Sequence, residues 1–184
     1  GSIDSLTVNA GAVALGELSG SVTVTATGVP LDTGKPLSTL RILVSISQAD
    51  VAKLASSLSG ITLTKIELTE GVIRASADVK VLIASVPLTV DLVPSARNGA
   101  IAFSPTTIRL GGTQLSAADL RANPFLSSLA GDILRSRDVC VASSLPKALV
   151  VDRVAVVGSQ LQVSISGDGA ALGGPGMSTL GTCP

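Results

Sequence analysis

The feature that most constrains this chain is an alternation of apolar and polar residues between positions 61 and 110, and the point where it changes phase. Ile73, Ala75, Ala77, Val79, Val81 and Ile83 share one parity, whereas Val86, Leu88, Val90 and Leu92 carry the apolar character on the other. Side chains on a strand repeat every two residues, so a one-residue shift sends every apolar group to the opposite face. The phase change falls at Ala84-Ser85-Val86-Pro87. An extra residue there would form a β-bulge, a place where proline is tolerated. The pattern predicts a long strand bent in its middle. It is entered from a strand over 61–69 through Glu70-Gly71 and leaves through 95–99 into 100–110. Unbent, positions 72–93 would span about 70 Å, beyond an ordinary strand. The segment therefore curves, or breaks into two strands at the bulge. A curved antiparallel meander, apolar on its concave face, is the expected organising element.

Upstream, 21–27 (SVTVTAT) alternates cleanly, with Val22, Val24 and Ala26 on one face and threonines on the other, which predicts a strand. The segment 3–8 is short and apolar, and its periodicity does not separate strand from helix. Positions 28–36 are rich in turn formers, and 40–46 reads as another strand. Ser47 is then placed to cap a helix with Asp50 in its first turn, and Val51, Leu54, Ala55 and Leu58 form one stripe ending at Gly60. Ser116 with Asp119 repeats the capping signature, and Asn123-Pro124 restarts a helix over 124–136. That last helix is the most apolar in the chain and is expected to lie across the concave face. A short strand around Cys140 and a hairpin about Gly158-Ser159 follow. The expected class is α+β: a strongly bent antiparallel sheet wrapped around one or two helices.

The 184 residues suit a single domain over 3–184, with Gly1-Ser2 reading as the remnant of an expression tag. A formal net charge of zero argues against a nucleic-acid partner held by electrostatics. The mean hydropathy is high, +0.58, yet no apolar run is long enough to span a membrane as a helix. The apolar content is almost wholly aliphatic, because Phe103 and Phe125 are the only aromatic residues and there is no Trp, Tyr or His. Two readings follow: a plain aliphatic core, or an interior with more aliphatic surface than a packed core uses, lining a groove for hydrocarbon.

Chemistry is scarce. Without histidine there is no Ser-His or Cys-His nucleophile, and no cofactor or metal set is complete. Ser144-Leu145-Pro146-Lys147 matches an S-x-x-K pattern, but Pro146 opposes the helical turn that such a pair needs. The glycines at 167–176 lack phosphate-loop spacing. Binding remains. The candidate lipid-lining residues are Val79, Val81 and Ile83 from the long strand and Ile101 and Phe103 from its neighbour. Phe125, Leu126, Leu129 and Ile133 would join them from the last helix. Arg121, Arg135, Arg137 and Lys147 are either solvated charges or a rim for an anionic headgroup. Cys140 and Cys183 are either a reduced pair or a disulfide. The disulfide is preferred, because a Gly-rich tail over 168–184 otherwise has little to hold it, and the bond implies an oxidising compartment.

Several of these residues together resemble the LmeA-type phospholipid-binding proteins of the actinobacterial cell envelope. They are the strand ending in Gly28-Val29-Pro30-Leu31, the segment Val86-Pro87-Leu88-Thr89-Val90, Asn98-Gly99-Ala100-Ile101 leading to Ser104-Pro105, Gly111-Gly112, and Leu161-Gln162-Val163. The resemblance runs over about 22–167. It implies a non-enzymatic, extracytoplasmic protein behind an N-terminal signal or anchor, which binds phospholipid in support of lipid or lipoglycan assembly or transport. It also implies a fold similar to tubular lipid-binding domains. The contrasting reading is an envelope scaffold with a solid core that binds a protein partner.

Overall fold

The computed structural model describes residues 1–15, 18–59, 63–69, 71–81, 84–122 and 137–184. The helix expected over 124–136, with Ile83, Phe125, Leu126, Leu129, Ile133 and Arg135, lies outside the described residues. Antiparallel strands dominate, and they form two open sheets. The first sheet has the order β1 (Ser2–Leu15), β2 (Leu18–Pro30), β3 (Thr39–Ser47), β11 (Gln160–Ser166) and β10 (Val150–Val157). The second runs β4 (Leu63–Thr69), β5 (Val72–Val81), β6 (Ala84–Arg97), β7 (Ala100–Leu110) and β8 (Thr113–Ser116). A short β9 (Arg137–Cys140) pairs with the other half of the β7 edge. The α-helices among the described residues are short: α1 (Gln48–Ser59), α2 (Ala117–Ala122) and a single turn at Pro175–Ser178.

The phase change in the long alternating segment marks a hairpin, which corrects the bent-strand reading. β5 and β6 pair antiparallel from Ile73↔Leu92 to Val81↔Ala84, leaving two residues between them. In such a hairpin an odd-numbered residue of one strand sits across from an even-numbered residue of the other. The apolar set must therefore switch parity to stay on one face. Pro87 is accommodated without a bulge. It lies one residue past the β7 ladder, which ends at Leu88↔Leu110, and its carbonyl accepts from the Gly111 N–H at 3.0 Å. A bulge of this sheet falls elsewhere, in β7 at Thr106 beside Pro105, where the Thr106 hydroxyl donates to the Asp91 carbonyl.

The β6–β7 turn is Asn98-Gly99, both with positive φ (47° and 79°), the pair of conformations a two-residue type I′ hairpin needs. Both predicted caps form. The Asp50 N–H donates to the Ser47 hydroxyl at 3.2 Å and the Asp119 N–H to the Ser116 hydroxyl at 2.9 Å. The sheets share one apolar core. Val44, Ile46, Val154, Val156, Leu161 and Val163 of the first pack with Ile66, Leu68, Ile73 and Ile101 of the second, and Val51 of α1 joins them. Strand β10 lies against β6, β4 and β5 and forms the seam between the sheets.

The C-terminal segment is a strap across one end of that seam. It touches the β2–β3 connection of the first sheet through Ala170, whose carbonyl accepts from Leu37, and Gly173, whose N–H donates to the Thr33 carbonyl. It reaches the β9 side through Gly181, which donates to the Leu145 carbonyl, and ends in a disulfide between Cys183 and Cys140. The bond closes a separation of 43 residues. By the chain-entropy argument a loop of that size contributes about 4 kcal/mol. A Cys140→Ser/Cys183→Ser double variant is expected to unfold in urea with its stability lowered by about 2–4 kcal/mol and its m-value raised. An unchanged midpoint would show that the strap contributes nothing to holding the sheets.

Candidate functional site: the aliphatic inner faces

The register of the second sheet assigns its faces. Ile66 and Leu68 of β4, Ile73 and Ala75 of β5, Val90 and Leu92 of β6 and Ile108 of β7 share the inner side. One half of this face is occupied by the first sheet. Ile101, 3% exposed, belongs to that packed core, and Phe103 lies half-buried against it. The other half is covered by α2: Ala117 and Leu120 pack on Leu88 and Ile108, with Val90 and Leu115 beside them. Val79 and Val81 occupy the end of β5, in register with Val86 and Ala84. Their side chains, like that of Arg137, lie outside the described residues.

Of the basic residues, Arg135 lies outside the described residues. Arg121 is exposed on α2, which packs on β7 near Ile108. Arg137 begins β9 opposite Phe103. Lys147 is exposed farther along, where its N–H donates to the Thr179 carbonyl of the strap.

A second aliphatic surface belongs to the first sheet, and the sequence reading left its first strand unassigned. Leu6 and Val8 stand across from Ala26 and Val24, so they share the face that forms the core farther along the sheet. They are nevertheless 44% and 49% exposed, while Val22 and Val24 next to them are half-buried. The opposite face of this hairpin is polar, with Thr7 across from Thr25 and the Thr23 hydroxyl donating to Asn9. The alternation Leu6, Val8, Ala10 was the available signal; Asn9 and Gly11, which read as punctuation, obscured it.

The outer side of the second sheet carries the one buried charge among the described residues. Asp91, 5% exposed, sits directly across from Arg74. It accepts from Arg74 Nε at 2.7 Å and Nη2 at 3.2 Å, and from Arg109 Nη1 at 3.0 Å. Arg109 Nε in turn donates to Gln114 at 3.1 Å. Burial by itself pushes the Asp91 carboxyl up, but the hydrogen bonds and charges of Arg74 and Arg109 outweigh it and hold the carboxyl below its usual range. The cluster locks β5, β6, β7 and β8 in register directly behind Val90 and Leu92. No group of three or more His, Cys, Asp or Glu among the described residues is placed to hold a metal ion, and no described helix is long and apolar enough to cross a membrane.

These aliphatic faces coincide with a family assignment. The sequence profile described as LmeA-like phospholipid-binding matches residues 1–166. The chain belongs to the LmeA-like phospholipid-binding family. The matched span covers both sheets and includes Cys140, whereas the strap with Cys183 lies beyond it. No curated protein and no solved structure matches the chain. The LmeA-like assignment supports lipid binding in general, and it describes a binding family, not a family of enzymes.

A depressed folded-state pKa contributes stability that is present above the unfolded value and is lost as pH falls through the folded one. Asp91→Asn is therefore expected to destabilise the protein by about 1–3 kcal/mol at neutral pH. The difference from wild type should shrink between neutral pH and strong acid, as pH falls through that depressed folded-state value and the wild-type carboxylate is itself neutralised. Urea unfolding at both pH values measures this, and a penalty that persists unchanged in acid would mean that the charge is not what matters.

Proposed function

We propose that the protein binds phospholipid non-covalently outside the cytoplasm, with acyl chains on its aliphatic faces, and supports lipid or lipoglycan assembly or transport in the cell envelope. The observation that carries the reading is the family assignment over residues 1–166, which falls on a chain whose inner faces are aliphatic and on which Leu6 and Val8 of the first sheet stay exposed. In the proposed mode the acyl chain enters near the β5–β6 end of the second sheet. It runs past Val79, Val81 and Ile83 toward Phe103, with Ile101 as the floor. Phe125, Leu126, Leu129 and Ile133 are the further residues proposed to contact the acyl chain. Arg121, Arg135, Arg137 and Lys147 supply cations along the outside for an anionic headgroup, each able to meet phosphate oxygens by charge-assisted hydrogen bonds. The Cys140–Cys183 disulfide supports an oxidising location such as the periplasm or cell surface. No catalytic step and no cofactor is part of this reading.

Two measurements test it. Organic extraction of the purified protein followed by mass spectrometry is expected to release glycerophospholipid in stoichiometric amount. An extract without lipid, from protein that also fails to take up phospholipid from vesicles, would sink the proposal. Because the chain has no Trp or Tyr, a Phe103→Trp variant has a silent background. Its emission is expected to shift to the blue on mixing with phosphatidylglycerol vesicles, and to shift less when Arg121 and Lys147 are replaced by Gln. An emission maximum indifferent to lipid would remove Phe103 from the binding surface.

A further inference from the structure

Of the sheet edges in this fold, three carry features that discourage further pairing and one does not. Strand β10 is bulged at Asp152 and bears Asp152 and Arg153. Strand β4 is bulged near Leu63 and bears Lys65 and Glu67. On the β7 side, β8 and β9 are four residues each. Short edges, bulges and charges are the usual ways a soluble protein keeps its edge strands from pairing with another chain. Strand β1 has 14 residues, no proline and no basic residue, and Asp4 is its only charge. It runs unbulged from Ser2 to Ala10, its residues from Ser2 to Asn9 are exposed, and among the described residues it pairs with β2 alone.

We propose that this edge is a homodimer interface, in which β1 pairs antiparallel with β1 of a second copy about a two-fold axis near Thr7. A two-fold axis perpendicular to the sheet makes the two strands antiparallel and lets the same surface serve both copies. With the axis at Thr7, Leu6 of each copy meets Val8 of the other, joining the largest apolar side chains on that face across the seam. Asp4 falls opposite Ala10, so the two Asp4 carboxylates are held about six residues, or roughly 20 Å, apart. The same operation satisfies the open backbone of β1 and shields Leu6 and Val8 on the flank that faces the second copy. It also joins the two first sheets into one ten-stranded sheet, with Leu6, Val8, Val22 and Val24 of both copies on one continuous face. A second copy fits better than an unrelated strand because it brings a neutral partner whose apolar alternation matches by symmetry. The proposal does not depend on which ligand the protein binds.

Sedimentation velocity on the purified full chain, from low micromolar to submillimolar, is expected to show a concentration-dependent doubling of mass. Leu6→Lys/Val8→Lys places charges on the seam at positions that are exposed in the single copy. It is expected to weaken dimerisation about tenfold or more while leaving the circular dichroism spectrum and Tm close to wild type. Thr7→Cys introduces one free thiol facing its own symmetry mate, with Cβ atoms about 4.5–5.5 Å apart. It is expected to give a covalent dimer under mild oxidation. A wild-type protein that stays monomeric throughout overturns the proposal. So does a dimer unaffected by the two lysines, a dimer in which Thr7→Cys does not cross-link, or a dimer that disappears on delipidation alone.

Discussion

The structure depends on one geometric constraint: strands joined by two-residue loops must exchange parity to keep their apolar residues on one face. β4–β5, β5–β6, β6–β7, β7–β8 and β10–β11 all meet across such loops. Each loop fixes the register of its pair, and each single-residue bulge resets it. Thr106 is the instructive case. Without the extra residue in β7, Ile108 and Phe103 would lie on opposite faces of the sheet, and the wall that runs from α2 to the core would be broken. The proline at 105 sits beside that bulge, where the ladder is already interrupted.

The two faces of the second sheet then have different tasks. The inner face is held by burial, which is non-directional and would tolerate some sliding of one strand past the next. The outer face supplies direction. A carboxylate fixed by two guanidiniums and a glutamine on β8 couples four strands at specific positions. A slip of β6 by one residue would leave Asp91 buried among aliphatic side chains without partners, at a cost of several kcal/mol. The seam to the first sheet is made by β10 against β6 and tied at one end by the strap and its disulfide.

Much of this was legible in the sequence, and the failures have physical causes. The strands β3, β7 and β11, the Gly158-Ser159 hairpin and the two serine caps follow from alternation and local hydrogen-bonding chemistry. The β5–β6 hairpin was misread because Leu82 and Ile83 separate its strands, and neither residue signals a turn. Parity alone does not distinguish one inserted bulge residue from a two-residue loop; strand length does, and 72–93 was already too long for one strand. β1 was unassigned because its apolar positions are interrupted by Asn9 and Gly11. The Asp91 cluster was invisible for a related reason: Arg74 and Asp91 are neighbours only once the hairpin is recognised. Candidate liners follow from parity and helical stripe; Ile101 and Phe103 do share the inner face of β7, but that logic does not reveal that Ile101 is already packed.

The aliphatic composition has a consequence for the proposed binding mode. A wall of Val, Leu, Ile and Ala offers no hydrogen bond to a tail and asks none of it, so each buried methylene adds about 0.8 kcal/mol whatever its place along the chain. Affinity then grows with tail length, while discrimination between tails of similar length stays small, since one methylene more or less changes binding only several-fold. Selectivity must come from the polar end, where a phosphate can meet guanidinium or ammonium groups with defined geometry. That division matches the chain's own layout. Its inner faces are aliphatic and almost free of aromatic groups among the described residues, and Arg121 and Lys147 are exposed, on α2 and beside the strap. A protein built this way would hold many phospholipids of one headgroup class by the same mechanism, which suits a component that handles bulk lipid better than one that senses a single species.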